Sequence, residues 1–166
     1  MSFLEVTSFL FDGFIISLLI FGVTLLLGAP LGLPIAFGSM SKFKPIKSLF
    51  KIIVWIVRGI PLMLQIFIIY YVPGLLFGIQ IFGQVDTYFL LEYGIMDAGR
   101  ILAVLIAFTI NYAAYFAEIF RGGIESIPNG QYEAAQVLGY NRLETFFIIV
   151  LPQVIKIVLP SITNEV

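Results

Sequence analysis

Few side chains in this 166-residue chain have the type and spacing for chemical work. The most regular set is Glu133-Ala134-Ala135, then Gly139 after three residues, Ile149 after nine more, and Leu151-Pro152 beyond one further position. A carboxylate beside two small side chains can meet a basic group while another surface comes close, and a glycine permits a sharp turn after them. A second set is the pair of amides, Gln65 and Asn111, each inside an apolar run. An amide in hydrocarbon seeks a partner or a wet cavity, which makes both candidates for lining a solute path. The chain has no cysteine and no histidine, so thiol nucleophiles, iron–sulfur clusters and the commonest metal ligand and general base are absent. No catalytic residue and no metal site is expected.

The elements that must carry these groups are apolar. The composition is 60% apolar and 11% charged, where a soluble domain is about a quarter charged. The formal net charge of -1 leaves no basic field for gripping nucleic acid. No Lys or Arg precedes the first apolar run, so the segment lacks the n-region of a cleavable signal and is expected to stay in the protein.

A bilayer core roughly 30 Å thick needs about 20 helical residues, and no charge falls between Gly13 and Ser41. Span one is expected at about 13–38, with Pro30 and Pro34 kinking its end. A second helix is expected at about 50–72, stopping at Pro73-Gly74. The third, 100–118, carries Asn111, Tyr112 and Tyr115 and should face protein more than lipid.

Lys42, Lys44, Lys47 and Lys51 cluster between the first two spans, which places that loop in the cytoplasm and the N-terminus outside. The segment around Asp86, Glu92 and Asp97 then lies outside, and the chain from Glu118 to about Phe146 lies inside. Lys156 would be costly at mid-membrane, so a fourth span is expected only to begin at about 156–166, which makes the chain look cut short. The fold class is therefore all-α: a polytopic integral membrane helix bundle with three complete spans and the start of a fourth, in one domain over 1–166.

The inner segment 127–152 reads as two short helices. Pro128 suits a first helical turn, Gly139 the left-handed residue past the helix end, and Asn141 with Glu144 a capping box for a second helix that Pro152 terminates.

Taken together, Glu133-Ala134-Ala135, Gly139, Ile149 and Leu151-Pro152 resemble the EAA signature of the membrane subunits of ABC importers. Arg58-Gly59-Ile60-Pro61-Leu62-Met63-Leu64-Gln65 and the run from Glu118 to Pro128 resemble segments of the polar amino acid permeases in that class. Those permeases usually carry Thr where this chain has Ile60, and they continue through further spans. The likeness covers nearly the whole chain.

The resemblance implies a type I permease fold in a bacterial inner membrane. It also implies a translocation path shared with a second permease subunit, identical or related, two cytoplasmic ATPases, and an extracytoplasmic solute-binding protein. Glu133, Ala134, Ala135, Gly139, Leu151 and Pro152 would couple to the ATPase, and Asn111 and Gln65 would line the path. No phosphate-binding Gly-x-x-x-x-Gly-Lys-Ser/Thr loop is present, so ATP and magnesium would be held by the partner rather than by a cofactor site here. The alternatives are a self-sufficient channel or secondary carrier, an intramembrane enzyme, and an inactive scaffold. The spans lack the central acid or base expected of a carrier and the carboxylate pair expected of an enzyme.

Overall fold

The computed structural model describes residues 3–93 and 97–165, and every regular element among them is helical. Helix α1 is Phe3–Ser39, α2 Lys44–Gly59, α3 Leu62–Phe77, α4 Ile81–Tyr93, α5 Ala98–Glu125, α6 Asn129–Val137 and α7 Arg142–Glu144. A π-helical turn at Thr145–Val150 then leads into α8, Leu151–Glu165. By length and apolarity, Glu5–Ser39, Ala98–Glu125 and Arg142–Glu165 can each cross a membrane. Helices α2 and α3 qualify only as a pair, bent by 103° at the break between them.

The spans differ from the sequence-based expectations in two places. The helix expected at 50–72 is broken at Ile60-Pro61 and resumes through Pro73 to Phe77, where Gly78 at φ 67° closes it. Pro61 has no N–H to give the carbonyl of Val57, so the ladder fails there. The helix that carries the fourth candidate span starts at Arg142 rather than near Lys156, because Pro152 does not end it. In the π turn ahead of it, Leu151 donates its N–H to Phe146 O, five residues back, and this wider ladder admits a residue that cannot donate. Helix α4 occupies a segment read from sequence only as an outer loop, and Tyr93 is its last residue.

The chain divides into two compact units. The first comprises Met1–Pro30 and Ile56–Ala113. Its interior follows one face of α5, where Ala103, Ala107 and Asn111 recur every four residues and are all buried. The close approach of α4 to α5 is made at Gly99, where a Cβ would overlap the backbone carbonyl of Phe82. The Asp86 carboxylate then accepts the Gly99 N–H at 2.7 Å, so a residue on α4 caps the first turn of α5.

The second unit comprises Leu31–Trp55 and Ala114–Val166. Ile127, Val150, Val154 and Val158 form its core, with Ile119, Phe120, Ile124, Tyr132, Phe146 and Ile162 packed around them. The end of α5, the short helix α6 and the start of α8 therefore share one hydrophobic centre. Phe37 and Phe146 add an edge-to-face ring contact at 5.6 Å.

Candidate functional site

The short helix α6 begins immediately after Pro128 and runs nine residues. It ends in a Schellman motif: the Tyr140 N–H reaches Ala135 O at 3.0 Å and the Gly139 N–H reaches Gln136 O at 3.0 Å. Gly139 sits at φ 83°, in the left-handed region that L side chains avoid. Two residues later the Asn141 side chain accepts the N–H groups of Leu143 and Glu144, and the Glu144 carboxylate accepts the Asn141 N–H at 2.7 Å. This capping box satisfies three donors at the start of the next helix. The chain thus reverses within four residues and is held at both ends by hydrogen bonds.

What this knob presents outward is specific. Glu133 and Ala134 are exposed, whereas Ala135 is fully buried in the chain's own interior. Of the two alanines expected to admit an outside surface, Ala135 instead admits the unit's own packing. Val137, Leu138 and Leu143 stand at 87%, 73% and 70% exposure around the turn, forming an apolar rim beside the Glu133 carboxylate. Sequence reading missed that rim, although three large apolar residues flanking a turn glycine are a visible signal for it. Leu151 is half-buried and Pro152 exposed at the start of α8, in the same unit as the knob.

The knob is tied to the apolar helices by packing and by an amide pair. Tyr132 lies half-buried beside the Val150–Val158 core, and burial pushes its phenol above its ordinary pKa. Gln153 on α8 donates to Gln131 Oε1 on α6 at 3.2 Å and to Ile149 O at 2.9 Å. On α5, Gly123 brings that helix against α8 so closely that a Cβ would overlap Val158 Cγ1 and come within 3.2 Å of Val154 Cγ1. A displacement of α6 must therefore be shared by α5 and α8, because the core is close-packed and does not deform smoothly. Arg121 pairs with both Glu118 and Glu125 at 2.6 Å, so one guanidinium serves two carboxylates along this end of α5.

The two candidate path residues both belong to the first unit, and each is buried. Asn111 lies on the α5 face that carries Ala103 and Ala107. Gln65 has a defined structural duty: its Nε2 donates to Val57 O at 2.6 Å and to Ile60 O at 2.9 Å. Leu64 and Gln65 direct their own N–H groups to Pro61 O, so both Val57 O and Ile60 O are carbonyls that the helix break leaves open. One side-chain amide closes both.

The comparisons agree with this architecture. Residues 28–166 match the family model described as binding-protein-dependent transport system inner membrane component. The Rhodobacter capsulatus glutamate/glutamine/aspartate/asparagine transport system permease protein BztC is 38% identical over 97% of this chain and 34% of its own length. The probable amino-acid ABC transporter permease protein YckA of Bacillus subtilis is 35% identical over 89% of this chain and 58% of its own. The chain thus spans between about a third and six-tenths of these relatives. A crystal structure of an amino acid ABC transporter with histidines superposes with a TM-score of 0.72 at 31% identity, covering 99% of this chain and 70% of that one. The chain belongs to the inner membrane components of binding-protein-dependent transport systems, the permeases of ABC importers, with the all-α membrane fold of that family.

Proposed function

We propose that the chain forms part of the translocation path for a polar amino acid in a bacterial inner membrane and is driven by a separate ATPase docked on the knob at α6 and α7. The observation that supports this best is the construction of that knob. It is capped at both ends, packed into the core shared by α5 and α8, and faced with the Glu133 carboxylate and three exposed apolar side chains. A basic, partly apolar cleft on the ATPase would receive it, with Glu133 making a charge-assisted hydrogen bond. Closure of two ATPases on ATP and magnesium would carry each knob with it and rock the attached spans between inward-open and outward-open states.

The partners in this reading are a second permease subunit, identical or related, two ATPases, and an extracytoplasmic binding protein that delivers the solute. The N-terminus lies outside and the lysine-bearing loop before α2 lies inside. The amino acid permeases among the relatives favour a polar amino acid as the solute.

The test is reconstitution of the assembled transporter in vesicles. Uptake should require both ATP and the binding protein, and Glu133→Lys should reduce the ATPase recovered with the permease while leaving its fold intact, because Glu133 is exposed. Unchanged recovery of the ATPase with that variant would remove the coupling assignment. Uptake driven by an ion gradient without ATP would place the chain among carriers instead.

A further inference from the structure

Helix α2 carries Lys44, Lys47, Lys51 and Arg58 among its 16 residues, too much charge to lie within the hydrocarbon core. Its sides are sharply divided. At about 100° per residue, Lys44, Lys47, Lys51 and Trp55 fall within one arc of about 80°. All four are exposed, Trp55 at 74%. Leu49, Ile52 and Ile53 occupy a sector roughly opposite and stand at 55%, 50% and 43% exposure. Between the two lies a packed edge: Val54 is buried, and the Phe50 ring covers Gly38 at the end of α1, where a Cβ would overlap it.

A helix with one packed edge, one cationic face and one bare apolar face has two surfaces still to place. A headgroup boundary accommodates both together, with hydrocarbon below and anionic phosphate above. Tryptophan favours that same depth, since its ring is apolar and its N–H is a donor. We propose that α2 lies in the interfacial layer and that Lys44, Lys47 and Lys51 bind the headgroups of anionic phospholipids, with Leu49, Ile52 and Ile53 entering the acyl region and Trp55 marking the boundary. The occupant is lipid rather than a second protein surface because a protein contact on the cationic side would need a facing acidic row. The alternating arrangement of charge and hydrocarbon is supplied by every anionic bilayer.

Trp55 is the chain's single tryptophan and reports directly on this face. The experiment uses the assembled transporter in nanodiscs, with Trp55→Phe subtracted as background. Its fluorescence is quenched by phosphatidylglycerol or phosphatidylcholine brominated near the headgroup. Phosphatidylglycerol should compete for the site about tenfold better than phosphatidylcholine, since each lysine near an anionic surface adds to the attraction. The triple change Lys44→Gln, Lys47→Gln, Lys51→Gln should bring the two lipids to equality, and the corresponding triple arginine variant should keep the preference. Equal quenching of the unaltered protein by both lipids would overturn the headgroup assignment. Absence of quenching by either would show that protein or water covers Trp55, and would overturn the interfacial placement altogether.

Discussion

The Nε2 of Gln65 donates to the backbone carbonyl of Val57 at 2.6 Å, across the break that Pro61 makes between α2 and α3. That carbonyl would accept from residue 61 in an unbroken helix, and proline has nothing to donate. In a membrane an open carbonyl costs several kcal/mol, roughly, because no water reaches it. The same amide also serves Ile60 O. Gln65 is therefore the side chain that makes the break tolerable, and its position one turn beyond Pro61 is what lets it reach.

Gln65→Leu should lower thermal stability in detergent by about 1 to 3 kcal/mol, the cost of leaving a buried acceptor open. Adding Pro61→Ala restores an N–H for Val57 O, so the double variant should recover part of the lost stability while uptake falls, because the bend is then free to straighten. A Gln65→Leu variant of unchanged stability but raised apparent KM would mark Gln65 as a solute contact instead.

Gly139 gives an independent handle on the knob. Its φ of 83° makes any side chain there strained, although no neighbouring atom obstructs a Cβ. Gly139→Ala should cost about 1 to 2 kcal/mol locally, read as faster amide hydrogen exchange at Tyr140, whose N–H closes the Schellman motif on Ala135. Gly139→Asn should cost less, since asparagine tolerates the left-handed region better. Equal exchange in all three proteins would show that the turn is not held by this motif.

The knob was legible in the sequence because its signals are local: Pro128 precedes the first turn, Gly139 terminates it, and Asn141 with Glu144 begins the next, all within seventeen residues. The routes of the spans were less so. Pro61 breaks its helix while Pro73, Pro152 and Pro160 are carried within theirs. The residue type is the same at all four positions, so whether a proline breaks its helix or is carried within it is decided by the surrounding fold rather than by the local sequence. The inward orientation of Ala135 was hidden for a similar reason. Two adjacent alanines look alike in sequence, and only the placement of the Val150–Val158 core separates them.

Tyr132 provides a test by pH. Burial raises its phenol pKa in the folded protein, so the neutral form is favoured there more than in the unfolded chain. The stabilisation it contributes is complete below the unfolded value of about 10. It is lost as pH rises from there through the higher folded value, because the unfolded chain then releases a proton that the folded one retains. Unfolding of the knob followed between pH 9 and 11.5 should steepen above about 10 in the native protein. Tyr132→Phe should flatten that part of the curve. An alkaline limb of the same slope in the variant would assign it to another group.

The contact between Gly123 and Val158 bears on transmission from knob to membrane. A Cβ at 123 overlaps Val158 Cγ1 and crowds Val154, so Gly123→Val must push α5 and α8 apart at the point where they share the knob's core. Overpacking of this kind costs about 1 to 3 kcal/mol. Val158→Ala removes the obstructing methyls, so the pair Gly123→Val with Val158→Ala should regain most of the stability lost by the first change alone. If the helices transmit knob movement through this contact, Gly123→Val should also leave ATP hydrolysis running with little uptake, and the double variant should recouple the two. A double variant no more stable than Gly123→Val would show that the cost arises elsewhere on α5. Restored stability with hydrolysis still uncoupled would separate packing at this contact from transmission through it.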